Sequence, residues 1–409
     1  MTPFLQLAFV IAIILLSAKT AGFLSTRLGQ PSVLGELLIG LVLGPSLINL
    51  THLSFITDPH IGEIIKEFGE IGVLLLMFLA GMELNLGELA ENRGASAFGG
   101  IFGVVLPVAL GLIYGELAGL EFSTSVLIGL TLGATSVSIS AQTLMELKVL
   151  RSRVGLGLLG AAVFDDILII LLLSIFTALQ SGGSLVEILL VFGKMLAFLA
   201  LSVGFGIWLL PRIVKKISNF PISQGLVTLA LIVMLFYGIA AELLGGMAAI
   251  TGTFVAGLMF SRTDEKKKIE TGLAPLAYAF FVPIFFVNIG LEVNLRELSI
   301  SALWVMLILS AIAIIGKIIG SGLGAKLGGF SWLESLQLGI GMVSRGEVGL
   351  IVATIGLEAG LLNASIFSAI VGMVLVTTLV TPPLLRTSFA MKPKPQLATQ
   401  SDSHKKEGE

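Results

Sequence analysis

Long apolar runs alternate along the chain with short clusters of charge, glycine, proline and asparagine. A helix needs about 20 apolar residues to cross a bilayer. Windows of that kind fall near 4–25, 32–49, 66–84, 95–116, 123–145, 153–179, 186–211, 222–243, 246–261, 273–291, 299–325, 332–357 and 363–385. The pattern predicts an all-α polytopic membrane protein of about 13 transmembrane helices. Residues 1–17 carry no Lys or Arg. A secretory signal needs a positive region there, so the first window reads as a retained helix that starts outside.

Charge placement supports the count. With 13 crossings, the loops opposite the N-terminus hold Lys19, Arg27, Arg93, Lys148, Arg151, Arg153, Arg212, Lys215, Lys216, Arg262, Lys266, Lys267, Lys268 and Lys326. The C-terminal segment on that side adds Arg386, Lys392, Lys394, Lys405 and Lys406, whereas the N-terminal side keeps only Lys66 and Arg296. By the positive-inside rule the N-terminus is outside and the C-terminus cytoplasmic, in a plasma or inner membrane.

Composition agrees. Of 409 residues, 56% are hydrophobic and 12% charged, about half the ~25% charged content of a soluble domain; mean hydropathy is +1.03. The absence of cysteine excludes disulfides and thiol chemistry. His52 and His60 are too far apart in a loop to read as a metal pair, and His404 lies in a polar tail. The net charge of −2 says nothing about partners, and no nucleic-acid partner is expected.

Two stretches echo each other. Gly81-Met82-Glu83-Leu84-Asn85-Leu86 recurs as Gly290-Leu291-Glu292-Val293-Asn294-Leu295, each closing an apolar span. In the spans beside them, Gly35, Gly40 and Leu41 align with Gly252, Gly257 and Leu258. Seven crossings separate the matched windows. An odd separation inverts the second copy, the arrangement of many secondary transporters, which bind at the repeat interface near the midplane. The expected organisation is a transport domain over 1–388, with repeat one at 4–179, a linker helix at 186–211 and repeat two at 222–388. Residues 389–409 read as a short disordered cytoplasmic tail.

The same register pairs the fifth window with the twelfth, and both are interrupted by polar residues: Thr135-Ser136-Val137-Ser138-Ile139-Ser140 and Ser344-Arg345-Gly346-Glu347. Unwound backbone at membrane depth is tolerated only inside protein or against a water-filled cavity. The hydroxyls have a simpler reading, bonding back to their own helix. Arg345 and Glu347 read as charges that neutralise broken-helix ends rather than as substrate ligands.

Asp165 and Asp166 fall near the centre of the sixth window. One carboxylate there costs roughly 2.5–3.5 kcal/mol on insertion scales. Successive helical residues sit about 100° apart, so one can meet a basic partner while the other faces a cavity. Lys317, in an otherwise apolar run, is the partner candidate, either in a static ion pair or in a switchable one. Glu36 reads as structural, and Lys194 receives no role.

The motifs Ala162-Val163-Phe164-Asp165-Asp166, Ala134-Thr135-Ser136-Val137, Gly316-Lys317 and Arg345-Gly346-Glu347-Val348-Gly349-Leu350 resemble the monovalent cation:proton antiporter-2 family of sodium/proton antiporters. The resemblance spans about residues 4–388. It implies a homodimer working by elevator-like alternating access. It further implies that Asp166 binds the cation (Na+, Li+ or K+), that Asp165 pairs with Lys317, and that Thr135 and Ser136 lie beside the site. Members with two acidic residues are expected to be electrogenic. No cofactor is expected, and no nucleotide-binding domain in cis, because no glycine-rich fingerprint follows a predicted strand.

Three alternatives share part of this pattern. A potassium/proton exchanger of the same family differs only in cation. A sodium-coupled organic-anion symporter would not need Lys317 with its acidic pair. An intramembrane aspartyl protease needs its two aspartates on different helices, so an enzyme is not expected.

Overall fold

The computed structural model describes residues 1–391 apart from 85–86, 88–90, 182–184, 221–222, 295 and 297–298. Asn85 and Leu86, Leu295 and the tail from 392 onward therefore lie outside the described residues, as do the side chains of Glu347 and a few others. Among the described residues there is no strand, as the apolar pattern predicts.

Seventeen α-helices are described: α1 (Pro3–Arg27), α2 (Ser32–Leu43), α3 (Ile61–Glu83), α4 (Arg93–Leu117), α5 (Phe122–Gly133), α6 (Val137–Glu146), α7 (Arg153–Ser181), α8 (Leu185–Trp208) and α9 (Leu210–Ser218). They continue with α10 (Gly225–Leu243), α11 (Ala249–Phe260), α12 (Lys266–Leu276), α13 (Val282–Leu291), α14 (Ile300–Leu327), α15 (Trp332–Gly341), α16 (Glu347–Glu358) and α17 (Ala364–Ala390). Nine helical stretches among the described residues are long and apolar enough to cross a membrane, with shorter apolar helices at Ser32–Leu43, Ala249–Phe260 and Val348–Leu357.

Each apolar window contains helix, and the differences at the ends have simple causes. Hydropathy windows stop at charge, but helical hydrogen bonding does not. Thus α3 begins before its window, with Glu63, Lys66, Glu67 and Glu70 in its opening turns, and is buried almost throughout from Gly72 to Met82. The tenth window extends back to Lys266 through a π-helical segment, Ala277–Phe281, that follows Pro275. Proline removes a backbone donor, and such wide turns accommodate the interruption. Helix starts carry side-chain caps: Ser299 accepts from Ala302 N, Asn363 from Ile366 N, and Ser331 with Glu334 forms a capping box.

The helices sort into two packed groups. In one, α4 packs on α5, α7 and α14, while α14 packs on α15 and α17. In the other, α2 packs on α1 and α13, and α11 packs on α3 and α10. Helix α8 touches both, and the groups meet where α3 faces α6 and α2 faces α17. Two crossings in the second group are so close that backbone meets backbone. A Cβ on Gly40 would lie 2.3 Å from the Val287 carbonyl oxygen, and one on Gly257 would lie 2.0 Å from that of Phe78. Only glycine fits at either point.

Candidate functional site

Two gaps in the helices cross at the middle of the first group. Residues 134–136 separate α5 from α6, and residues 342–346 separate α15 from α16. The gaps bind one another: Ser136 N donates to Ser344 O at 2.9 Å, and the Ser344 hydroxyl donates back to Ser136 O. The Ser140 hydroxyl donates to Gly341 O. A Cβ on Gly346 would sit 2.6 Å from both Cβ and Oγ of Ser136, so the contact needs glycine. The discontinuities inferred from the Ser/Thr run and from Ser344-Arg345-Gly346-Glu347 are therefore present; of the run's hydroxyls, that of Ser140 reaches the other break, while those of Ser136 and Ser138 bond each other.

Arg345 is fully buried at this crossing. Its Nη1 donates to Met342 O at 3.2 Å and to Val343 O, and its Nη2 donates to Leu132 O at 2.6 Å and Ala313 O at 3.2 Å. The terminal carbonyls of α5 and α15 thus share one guanidinium, which offsets the negative ends of both dipoles. Thr378 donates to the Arg345 carbonyl at 2.8 Å. Glu347 opens α16, and its side chain lies outside the described residues.

On α7, Asp165 is fully buried, and its Oδ1 accepts from Lys317 Nζ of α14, also fully buried. Gly103 of α4 passes beside the pair and leaves room for Ser321; a Cβ there would meet Ser321 Oγ at 2.2 Å. Thr135 lies beside Asp165. Its Oγ1 and Asp165 Oδ2 are both buried and make no hydrogen bond to any group other than each other, so their remaining lone pairs suit a cation or a water.

Asp166 points elsewhere. Its Oδ2 accepts from Thr251 Oγ1 of α11 at 2.6 Å. It borders a small cavity of about 10 Å³, with Met77, Val137, Val163, Thr251 and Phe254 among the lining. That is close to the room one water needs. The adjacent aspartates thus face different helices, as their angular separation requires, and Asp166 reaches across to the second group.

A larger cavity, about 580 Å³, runs between α3 and α13 on one side and α16 and α17 on the other. Lys66 and Glu292 line it near one face, and Ser136, Arg345 and Gly346 line its depth. That face also holds the start of α1, where Gln6 Oε1 accepts from Thr57 N at 2.8 Å. At the opposite face the groups are tied together. Ser32 N and Oγ, at the start of α2, each donate to the Glu146 carboxylate of α6 at 2.6 Å, and Arg151 lies 3.8 Å from Glu83.

Sequence reasoning brought Asp165, Lys317, Thr135, Ser136 and Arg345 to one region, and they meet there. Glu36, 5% exposed, lies 3.8 Å from Lys19 in a local pair, and Lys194 is exposed. Sequence reasoning missed Thr251 and Glu146. A signal for Thr251 existed: in the sequence echo that matches Gly252 to Gly35, it stands where the earlier stretch has Leu34.

Comparison with known proteins gives a consistent answer. Residues 12–388 match the family described as sodium/hydrogen exchanger, transmembrane. The chain is 42% identical over 392 residues to the Na(+)/H(+)-K(+) antiporter GerN of Bacillus cereus, covering 96% of this chain and 98% of that protein. It is 34% identical to a Na(+)/H(+) antiporter of Enterococcus hirae, covering 92% and 96%. The sodium proton antiporter MjNhaP1 of Methanocaldococcus jannaschii shares its fold, with a TM-score of 0.68 at 19% identity and coverage of 96% and 100%. With almost its whole length matched, this chain is a multi-pass membrane protein of the sodium/hydrogen exchanger family, whose members are antiporters of monovalent cations and protons rather than enzymes.

Proposed function

We propose that the protein is a secondary active antiporter exchanging Na+ or Li+ for protons at Asp166. One observation carries this reading: neighbouring buried carboxylates have unlike partners, Asp165 on Lys317 and Asp166 on a hydroxyl beside a cavity of ion size. Burying such groups is costly unless they are paired or functional. Asp166 supplies charge for a cation, while Thr135 and Ser136 supply further oxygens at the crossing. Cation and proton cannot both hold Asp166, and that competition is the exchange. Asp165 and Lys317 add sites for a second proton, which supports electrogenic exchange.

The mechanism in this reading is elevator-type alternating access. The first helix group carries the aspartates and slides against the second, which holds Thr251. The cavity at one face and the closed contacts at the other support it. Thirteen crossings are proposed, in inverted repeats at 4–179 and 222–388 about a linker at 186–211. Support comes from the register of the close crossings. Gly40 meets the residue three before Gly290, and Gly257 meets the residue three before Gly81. Those are the glycines matched in the sequence echo. The proposed orientation, N-terminus outside and C-terminus cytoplasmic in a plasma or inner membrane, rests on lysine and arginine placement. The homodimer rests on kinship.

Potassium is the alternative cargo, because the relative from Bacillus cereus carries both cations in its name. The test is a proteoliposome with an imposed pH gradient and controlled membrane potential, offered Na+, Li+ and K+ separately. Collapse of the gradient by Na+ and Li+ is expected. Collapse by K+ alone would replace the sodium reading with the potassium one.

A further inference from the structure

Buried threonines in helices usually spend their hydroxyl on their own backbone. Thr131, Thr143, Thr253 and Thr377 all do so, donating to carbonyls three or four residues earlier. Thr251 does not. Its hydroxyl crosses between the two helix groups and donates to Asp166 Oδ2 at 2.6 Å, with Thr251 4% and Asp166 7% exposed. Around this bond are Met77, Val137, Ile250 and Phe254, so little else polar lines the gap. The position matched to it in the sequence echo is Leu34, so the echo itself does not call for a hydroxyl here.

A hydrogen bond to an ionised carboxylate is about twice as strong as one to a neutral group, more so where water is scarce. The bond spans the boundary along which the two groups must slide, so it resists sliding most when Asp166 is charged and carries nothing. A cation or proton on Asp166 takes up that charge and weakens the hold.

We propose that Thr251 is an occupancy-sensitive latch: its hydroxyl restrains the empty, ionised carrier and lets the loaded one move, which enforces exchange over leak. This rests on the reading of Asp166 as the cation site and adds a positioning residue on the opposite helix group. Thr251 acts through Asp166. Its mark is coupling rather than overall speed.

The test uses the full chain in proteoliposomes at equal alkaline pH on both sides, with membrane potential clamped. Efflux of labelled Na+ is measured into medium with Na+, which needs only the Na+-loaded form to move, and into medium without it, where return falls to the protonated form, scarce at alkaline pH, or to the empty form. The ratio of the two fluxes cancels differences in the amount of folded protein. In Thr251→Val the ratio of net efflux to exchange is expected to rise about tenfold, and Thr251→Ser is expected to keep the wild-type ratio. An unchanged ratio in Thr251→Val, or a Thr251→Ser that behaves like it, would overturn the latch. So would loss of both fluxes in Thr251→Val and Thr251→Ala alike, because a restraint on the empty form is not needed by the loaded one. Absence of any Na+ exchange in the wild type would instead sink the reading of the site, and the latch with it.

Discussion

Lys317 of α14 donates to Asp165 of α7, and neither side chain touches solvent. The pair ties two long helices at the level where α5–α6 and α15–α16 break. Removing one member leaves the other charge buried alone, which costs about 3–5 kcal/mol. Lys317→Met is therefore expected to lower stability by that amount in denaturant unfolding in detergent, and the double variant with Asp165→Asn to recover most of it. If electrogenic exchange depends on the pair, the double variant that still transports will do so with little response to membrane potential.

Arg345 predicts a loss of similar size from a different cause. It serves Leu132, Ala313, Met342 and Val343 carbonyls. Each buried acceptor left unpaired costs about 1–3 kcal/mol. Arg345→Ala should lower stability by at least about 3 kcal/mol, whereas Arg345→Lys, keeping the charge but losing the planar fork, should fall between. Thermal unfolding of purified protein measures both.

The close crossings predict that position decides the effect of the same change. In Gly257→Ala the new methyl meets the Phe78 carbonyl, an overpacking expected to cost about 1–3 kcal/mol. Gly193→Ala and Gly204→Ala on α8 meet nothing within 4 Å. They should be neutral or stabilising, by up to about 1 kcal/mol. Unfolding midpoints of the three variants side by side are the check.

Much of this was legible in the residues, and what was not has physical reasons. Apolar length marked every span, and buried charge marked Asp165, Asp166 and Lys317, because a bilayer penalises unpaired charge heavily enough to leave a trace in single positions. The helix breaks showed as polar runs for the same reason. Thr251 stayed hidden because a lone threonine inside an apolar helix ordinarily bonds to its own backbone, and only the three-dimensional crossing reveals its partner. Glu146 stayed hidden because a carboxylate near a helix end looks solvated until Ser32 is seen to donate to it twice.

Glu146 gives a prediction of its own. Its carboxylate caps the start of α2 across the boundary between helix groups. Loss of such a cap costs about 0.5–2 kcal/mol. Glu146→Ala should therefore open that face more often. The chain has no cysteine, so a single cysteine introduced at Leu159, near the Asp166 cavity, reports access directly. Faster labelling by an impermeant maleimide from the side of the α2 start is expected.

Competition at one carboxylate also fixes a pH response. A proton on Asp166 excludes the cation, so acidifying the cation side raises the cation concentration needed for half-maximal exchange. The slope approaches about tenfold per pH unit for one competing proton. The maximal rate should change less than that concentration does, as initial rates over a matrix of Na+ and pH would record.

The most direct test is cation-driven collapse of a pH gradient in proteoliposomes containing Asp166→Asn, beside wild type and Asp165→Asn. Asp166→Asn is expected to abolish exchange with every monovalent cation while unfolding near the wild-type midpoint. Asp165→Asn is expected to retain exchange with an altered response to membrane potential. Exchange in Asp166→Asn at more than about a tenth of the wild-type rate, a loss of less than about 1.4 kcal/mol, would contradict the assignment of Asp166 as the cation carboxylate.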